Sequence, residues 1–337
     1  MSDHLEAIPV AGRDIARAAL ASAFGARPLT GLASISGGIS ALTYRIEVGG
    51  RAYVLRLEGA RGGLRDPHRS YANMAMAAEA GIAPRLFHAD PEAGVTIMDF
   101  IPPHPFESYP GGPAELARAT GRLIASLQAT PPGAPFAPFA TLLERLLAYV
   151  RGSSLFTATL LDPHLETFER LREAYPWSDR PAVSAHNDPN PRNIIFDGQR
   201  LWLIDWETSF RNDPFVDIAI VANEQAVVPE ATQALLQGWL GSPPDQQTEA
   251  QLLLMRQLTR LYYACLILSS YVATPPEAPD ADLTSPSVAE FVDAVSAGRL
   301  RVGDPQLAYV LAKMNLAGFL AGAASPEVAG AISVLKG

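Results

Sequence analysis

The residues best suited to chemistry lie in one stretch, His186-Asn187-Asp188-Pro189-Asn190-Pro191-Arg192-Asn193. It runs into Ile194-Ile195-Phe196, the pair Asp197-Gly198, the apolar run Leu201-Trp202-Leu203-Ile204 and then Asp205-Trp206-Glu207. Two short apolar runs joined through Asp-Gly predict a β-hairpin. Such a hairpin sets Asn193, just before its first strand, beside Asp205, just after its second. An amide oxygen and a carboxylate at one end of a hairpin are hard-oxygen ligands of the kind that hold magnesium bearing nucleotide phosphates. Asp188 precedes Asn193 by five residues in a loop stiffened by Pro189 and Pro191. There it can accept the proton of an attacking hydroxyl. His186 is read as a brace for this loop and Asp217 as a carboxylate that accepts backbone amides. Glu207 has two readings, a substrate-side carboxylate or the partner of a nearby cation.

Other chemistries find less support. A serine hydrolase needs a Gly-x-Ser-x-Gly elbow, and the chain has none. A two-metal phosphoesterase needs clustered His and Asp ligands, whereas the six histidines are scattered. A binding module that shares this architecture without turnover stays open as the alternative, although it would have no need of Asp188, Asn193 and Asp205 together.

These residues require elements to position them. A helix is expected over 13–24, then strand-like runs at 32–36, 42–48 and 53–58, punctuated by Gly37-Gly38 and Gly49-Gly50. A helix over 67–80 ends at Gly81, and extended runs follow at 85–89 and 95–100. Together they predict a small antiparallel sheet with one packed helix. Ile101-Pro102-Pro103-His104-Pro105 can continue neither a helix nor a central strand, because its prolines lack an amide hydrogen and fix φ. It reads as a linker between a lobe of residues 1–100 and a second lobe of residues 101–337. The second lobe is mainly α-helical, with helices expected over 113–129, 139–150, 163–174, 214–225, 229–240, 248–272 and 305–323. Residues 273–286, rich in Pro, Ala and Asp, read as a solvated loop.

The catalytic stretch resembles the loop and metal-binding strand of the aminoglycoside phosphotransferase and choline kinase family, relatives of the protein kinases. The pattern is carried intact by His186, Asn187, Asp188 and Asn193, and by Ile204-Asp205-Trp206-Glu207. The continuation Asn212-Asp213-Pro214-Phe215-Val216-Asp217-Ile218-Ala219 is similar to the choline and ethanolamine kinase branch. The resemblance covers about residues 36–271 and implies an α+β, protein-kinase-like two-lobe fold. It also implies ATP and Mg2+ as cofactors and a small-molecule alcohol as acceptor. A cationic amino alcohol of the choline or ethanolamine kind, or an aminoglycoside, is the expected acceptor class. Ser36, Gly37 and Gly38 fall where such proteins cover the nucleotide with backbone amides. Arg56 takes the place of the strand lysine that reaches the phosphates, a role a guanidinium can fill. The helix over 67–80 has no glutamate at its middle to pair with it, only Glu79 at its last turn. Asp99 completes the nucleotide-binding set. On the acceptor side the candidates are Glu207 with Tyr262 and Tyr263, whose rings can face an amine.

Composition sets outer bounds. With 48% hydrophobic and 18% charged residues the chain has apolar side chains enough for a substantial core. A net charge of -9 without a basic run argues against a nucleic-acid partner. The single cysteine, Cys265, excludes an internal disulfide and suits a reducing compartment. The first ten residues lack the features of a signal peptide. The apolar segment 252–272 is interrupted by Arg256 and Arg260, so a buried helix is expected there in place of a membrane span, and a cytoplasmic location overall.

Overall fold

The computed structural model describes residues 4–35, 41–59, 66–177, 180–273, 277–301 and 303–337. The chain divides into two compact units. The first comprises Met1–Pro135, Val183–Arg211 and Val228–Gly241; the second comprises Phe136–Ala182, Asn212–Val227 and Ser242–Gly337.

In the first unit, helix α1 (Val10–Phe24) precedes strands β1 (Leu29–Ser34), β2 (Ala41–Val48) and β3 (Arg51–Glu58). Helix α2 (Pro67–Glu79) then leads to β4 (Leu86–Asp90) and β5 (Val95–Asp99). The five strands form one antiparallel sheet in the order β1-β2-β3-β5-β4. Gly49 and Gly50 both have positive φ, 59° and 76°, which a two-residue hairpin turn between β2 and β3 demands. Side chains alternate across a strand. Tyr53, Leu55 and Leu57 are therefore buried with Ile46 and Ile97, against Ala16 and Ala19 of α1. Val54, Arg56 and Glu58 stand on the other face. The register sets Arg56 opposite Thr96 and Val54 opposite Met98.

Helix α2 starts where Asp66 caps the amides of His68 and Arg69 and Pro67 takes the first helical position. Its Tyr71, Met74 and Ala77 pack with Leu201, Leu203 and Trp206. This unit extends past residue 100. Helix α3 (Gly112–Gln128) and helix α7 (Pro229–Leu240) belong to it and cross each other at two glycines. A Cβ on Gly121 would lie 2.2 Å from the Leu235 carbonyl oxygen, and one on Gly238 would lie 2.0 Å from that of Arg118. Only bare backbone permits this approach.

The second unit is helical: α4 (Phe139–Arg151), α5 (Asp162–Ala174), α6 (Phe215–Glu224), α8 (Gln246–Ser269), α9 (Val288–Ser296), α10 (Pro305–Ala323) and α11 (Pro326–Lys336). Helix α8 is the centre, with Leu254, Leu258, Leu261 and Cys265 fully buried and α4, α6, α10 and α11 packed around it. Burial pushes the Cys265 thiol up to about 12, so it is a small hydrophobe there. Helices α9 and α11 were not expected. Each carries its own start signal, the Ser287 and Glu290 capping box for α9 and the Ser325 cap followed by Pro326 for α11. Residues 277–286 are irregular, as expected of the loop, but not merely solvated. Asp280 is held by Lys313 at 2.6 Å and by the Tyr309 hydroxyl at 3.1 Å. Among the described residues no single helix is long and apolar enough to cross a membrane, and α10 and α11 are bent 62° from one another.

Candidate active site

The catalytic stretch lies wholly in the first unit. Strand β6 (Val183–Ala185) leads into the loop, β7 (Ile194–Phe196) and β8 (Leu201–Leu203) form the expected hairpin, and β9 (Phe210–Asn212) follows. The Asp197 carboxylate accepts the amides of Gln199 and Arg200 at the turn, with Gly198 at a φ of 91°. At the other end of the hairpin, the Ile204 amide donates to the Asn193 carbonyl at 3.0 Å, which fixes Asn193 beside Asp205.

Three side chains lock the loop. His186 is fully buried, and its Nε2 donates to the Ile204 carbonyl at 2.8 Å while its ring meets Trp206 edge-on. Burial holds its pKa down to about 4, which makes it neutral near pH 7 and a brace, as expected. The Asn187 amide donates to the carbonyls of Thr208 and Phe210 at 3.0 and 3.1 Å. The amide of Asn193 donates to the Asp188 carboxylate at 3.0 Å and to its carbonyl at 2.9 Å, and Asn190 holds the other carboxylate oxygen at 2.7 Å. Asp188 is thus half-buried and oriented from two sides.

Among the described residues, the only non-glycine residues with left-handed backbone are Asn187 and Asp205, at φ of 62° and 64°. Such conformations cost energy and persist where the surroundings over-determine them. Both fall in the site.

Arg56 reaches the same place from β3. Its Nη1 lies 2.9 Å from Asp205 Oδ1 and its Nη2 lies 3.3 Å from Glu207 Oε2. Burial opposes its charge, but Asp205 and then Glu207 outweigh that and hold the guanidinium pKa above its ordinary value. Of the two readings of Glu207, the structure displays the partner of a cation. A small cleft opens beside these three residues, with Tyr71, Met74 and Met98 on its apolar side.

Helix α2 engages the site in a way the sequence did not reveal. Arg69 and Asn73, both buried, donate to the Ser209 carbonyl at 3.1 and 3.0 Å. They tie the helix to the segment that follows Asp205. A pair of buried donors on one helix face was the available signal, although its partner lies about 140 residues away in the chain.

Asn193 and Asp205 fit a magnesium ion. Asn193 commits its amide nitrogen to Asp188, so its amide oxygen is the atom left for a cation, and Asp205 supplies a carboxylate from the same hairpin end. Magnesium bound to a nucleotide commonly takes only one or two protein ligands, its remaining positions going to phosphates and water.

The remaining expectations fall elsewhere. Ser36, Gly37 and Gly38 lie outside the described residues. Asp99 ends β5 opposite Tyr53 and is ion-paired with Arg51 at 3.2 Å, so it is not brought to Arg56. Tyr262 and Tyr263 lie on α8 in the second unit. The Tyr262 ring is fully buried and packs against Phe139 at 5.4 Å, which leaves it no surface for a substrate; Tyr263 is half-buried. Asp217 is fully buried in the first turn of α6, within the helix expected over 214–225.

A five-stranded antiparallel sheet bearing Arg56, followed by a braced loop and hairpin bearing Asp188, Asn193 and Asp205, defines a protein-kinase-like small-molecule phosphotransferase. The chain belongs to the phosphotransferase enzyme family, APH, whose model matches residues 31–253. Protein LicA of Haemophilus influenzae is 44% identical over 52 residues, 15% of this chain and 20% of LicA, so the match spans a fifth of that relative. Many solved structures are similar in fold, two of them as follows. One, a choline/ethanolamine kinase family protein from Mesorhizobium loti, has a TM-score of 0.72 at 21% identity, over 96% of this chain and 98% of that one. The other, choline kinase LicA from Streptococcus pneumoniae, has a TM-score of 0.62 at 16% identity, over 90% and 98%.

Proposed function

We propose that this protein transfers the γ-phosphoryl group of ATP to a hydroxyl of a small amine-bearing alcohol, choline- or ethanolamine-like or an aminoglycoside. The observation that carries this is the arrangement at Asp188. Its carboxylate is held by Asn190 and Asn193, and Asn193 shares one hairpin end with Asp205. Asp188 takes the proton of the acceptor hydroxyl as the new oxygen–phosphorus bond forms and the bond from the γ-phosphorus to its bridging oxygen breaks, releasing ADP. Magnesium, held by Asn193 and Asp205, supplies the positive charge that offsets the phosphates. Arg56 contacts the phosphates from β3, and Ser36, Gly37 and Gly38 are the proposed source of backbone amides for them. The amine-bearing acceptor rests on the names of the similar proteins, which are choline and ethanolamine kinases.

One feature of the sequence favoured a binding module without turnover, namely the absence of a glutamate in the middle of α2. Arg56 has carboxylate partners on another segment, so that feature no longer distinguishes the two readings. The test is ADP release from MgATP in the presence of choline, ethanolamine, an aminoglycoside and a neutral sugar. Release that rises with an amine-bearing alcohol supports the proposal. Binding of MgATP with no acceptor-dependent release from any of them favours the binding module.

A further inference from the structure

We infer that Glu207 is the positioning residue for Arg56, doing from the metal-binding segment what a helix glutamate does in protein kinases; this rests on the nucleotide reading above. The relevant face of α2 cannot do it. Ser70, Tyr71 and Met74 line the cleft beside Arg56, and the one acidic residue of α2, Glu79, is exposed at its last turn. That helix is fastened instead through Arg69 and Asn73 to Ser209. The guanidinium meets the two carboxylates downstream of the hairpin, one Nη on each, at 2.9 Å to Asp205 and 3.3 Å to Glu207.

The two partners are not equivalent. Asp205 is the proposed metal ligand, and a cation bound there would compete with Arg56 for the same carboxylate. A guanidinium whose side chain is only 18% exposed needs a partner when that happens. Glu207 lies two residues on, across the left-handed turn at Asp205, and engages a separate Nη. It keeps Arg56 compensated and aimed while Asp205 turns to the metal. Without it Arg56 would remain on Asp205 and oppose the metal. Fixing the phosphate contact from the same segment as the metal ligand makes the two form together.

The test compares wild type, Glu207→Gln, Glu207→Asp, Arg56→Met and the Arg56→Met, Glu207→Gln double variant by calorimetric titration with MgATP and with adenosine. Thermal unfolding of each protein checks the fold. Glu207→Gln should weaken MgATP by about tenfold, the scale of a charged hydrogen bond. Adenosine, which has no phosphates for Arg56 to touch, should bind as before, and Glu207→Asp should recover part of the loss. On the Arg56→Met background, Glu207→Gln should add nothing. MgATP affinity unchanged in Glu207→Gln overturns the inference. So does an equal loss for adenosine, which marks a structural role, and so does an additive loss on the Arg56→Met background, which marks Glu207 as acting without Arg56. Failure of the wild type itself to bind MgATP overturns the nucleotide reading as well, and is thereby distinguished from failure of the pairing alone.

Discussion

The side-chain amide of Asn193 donates to the carboxylate of Asp188 at 3.0 Å and to its carbonyl at 2.9 Å. One residue thereby orients the proposed base with its nitrogen and has its oxygen for the proposed magnesium. Asn193→Ala should lose both roles at once and lower turnover by at least about a hundredfold, the scale of a lost positioned base. Steady-state assay with the best acceptor of the panel measures this. A change below threefold in kcat, with nucleotide affinity intact, means that Asp188 keeps its orientation without Asn193.

Asp205 joins a left-handed backbone to a carboxylate beside Arg56. Asp205→Ala should abolish the part of ATP affinity that depends on magnesium and leave the metal-free part in place. Titrations of ATP with and without magnesium check this. Equal magnesium dependence in the two proteins contradicts the assignment.

Where α3 crosses α7, a methyl group on Gly238 would meet the Arg118 carbonyl at 2.0 Å, against backbone that cannot yield locally. Gly238→Ala should destabilise the protein by about 1–3 kcal/mol, as overpacking does. The check is a denaturant titration. An unchanged midpoint means the helices can separate without cost.

Acid should destabilise the protein through two buried histidines. Burial holds His164 and His186 down to about 4, against an ordinary value of 6.5. Between those values the unfolded chain takes up protons that the folded one refuses, so their contribution to stability is complete above pH 6.5 and falls as pH is lowered towards 4. His164 stacks on Phe319 in the second unit, with ring centroids 6.1 Å apart. His164→Phe should therefore flatten the fall in unfolding temperature across this window. The same slope in variant and wild type would show that carboxylates alone set it.

The sequence carried the local parts of this site in plain form. The hairpin was legible because both apolar strands and the Asp197-Gly198 turn are contiguous, and with it came the juxtaposition of Asn193 and Asp205. The sheet was legible from glycine punctuation, and family likeness to the protein-kinase fold agrees with it. What escaped is non-local. The Arg56 pair spans about 150 residues, and no local pattern announces a cation's partner at that distance. Likewise, Arg69 and Asn73 are polar residues whose burial depends on the Ser209 carbonyl brought to them by the fold. The crossing of α3 and α7 rests on Gly121 and Gly238, which in a helical pattern read only as weak points. By contrast, α9 and α11 had local signals in Ser287 with Glu290 and in Ser325-Pro326-Glu327. Those signals lie outside the catalytic stretch.

The central claim is that Asp188 serves as the base in phosphoryl transfer. The direct measurement is single-turnover transfer of the phosphoryl group from γ-labelled ATP to an amine-bearing alcohol, by wild type and by Asp188→Asn, alongside MgATP affinity for both. The predicted result is labelled phosphoalcohol from wild type, a rate at least about a hundredfold lower from Asp188→Asn, and near-equal affinity for MgATP. Transfer at a comparable rate by Asp188→Asn would contradict it.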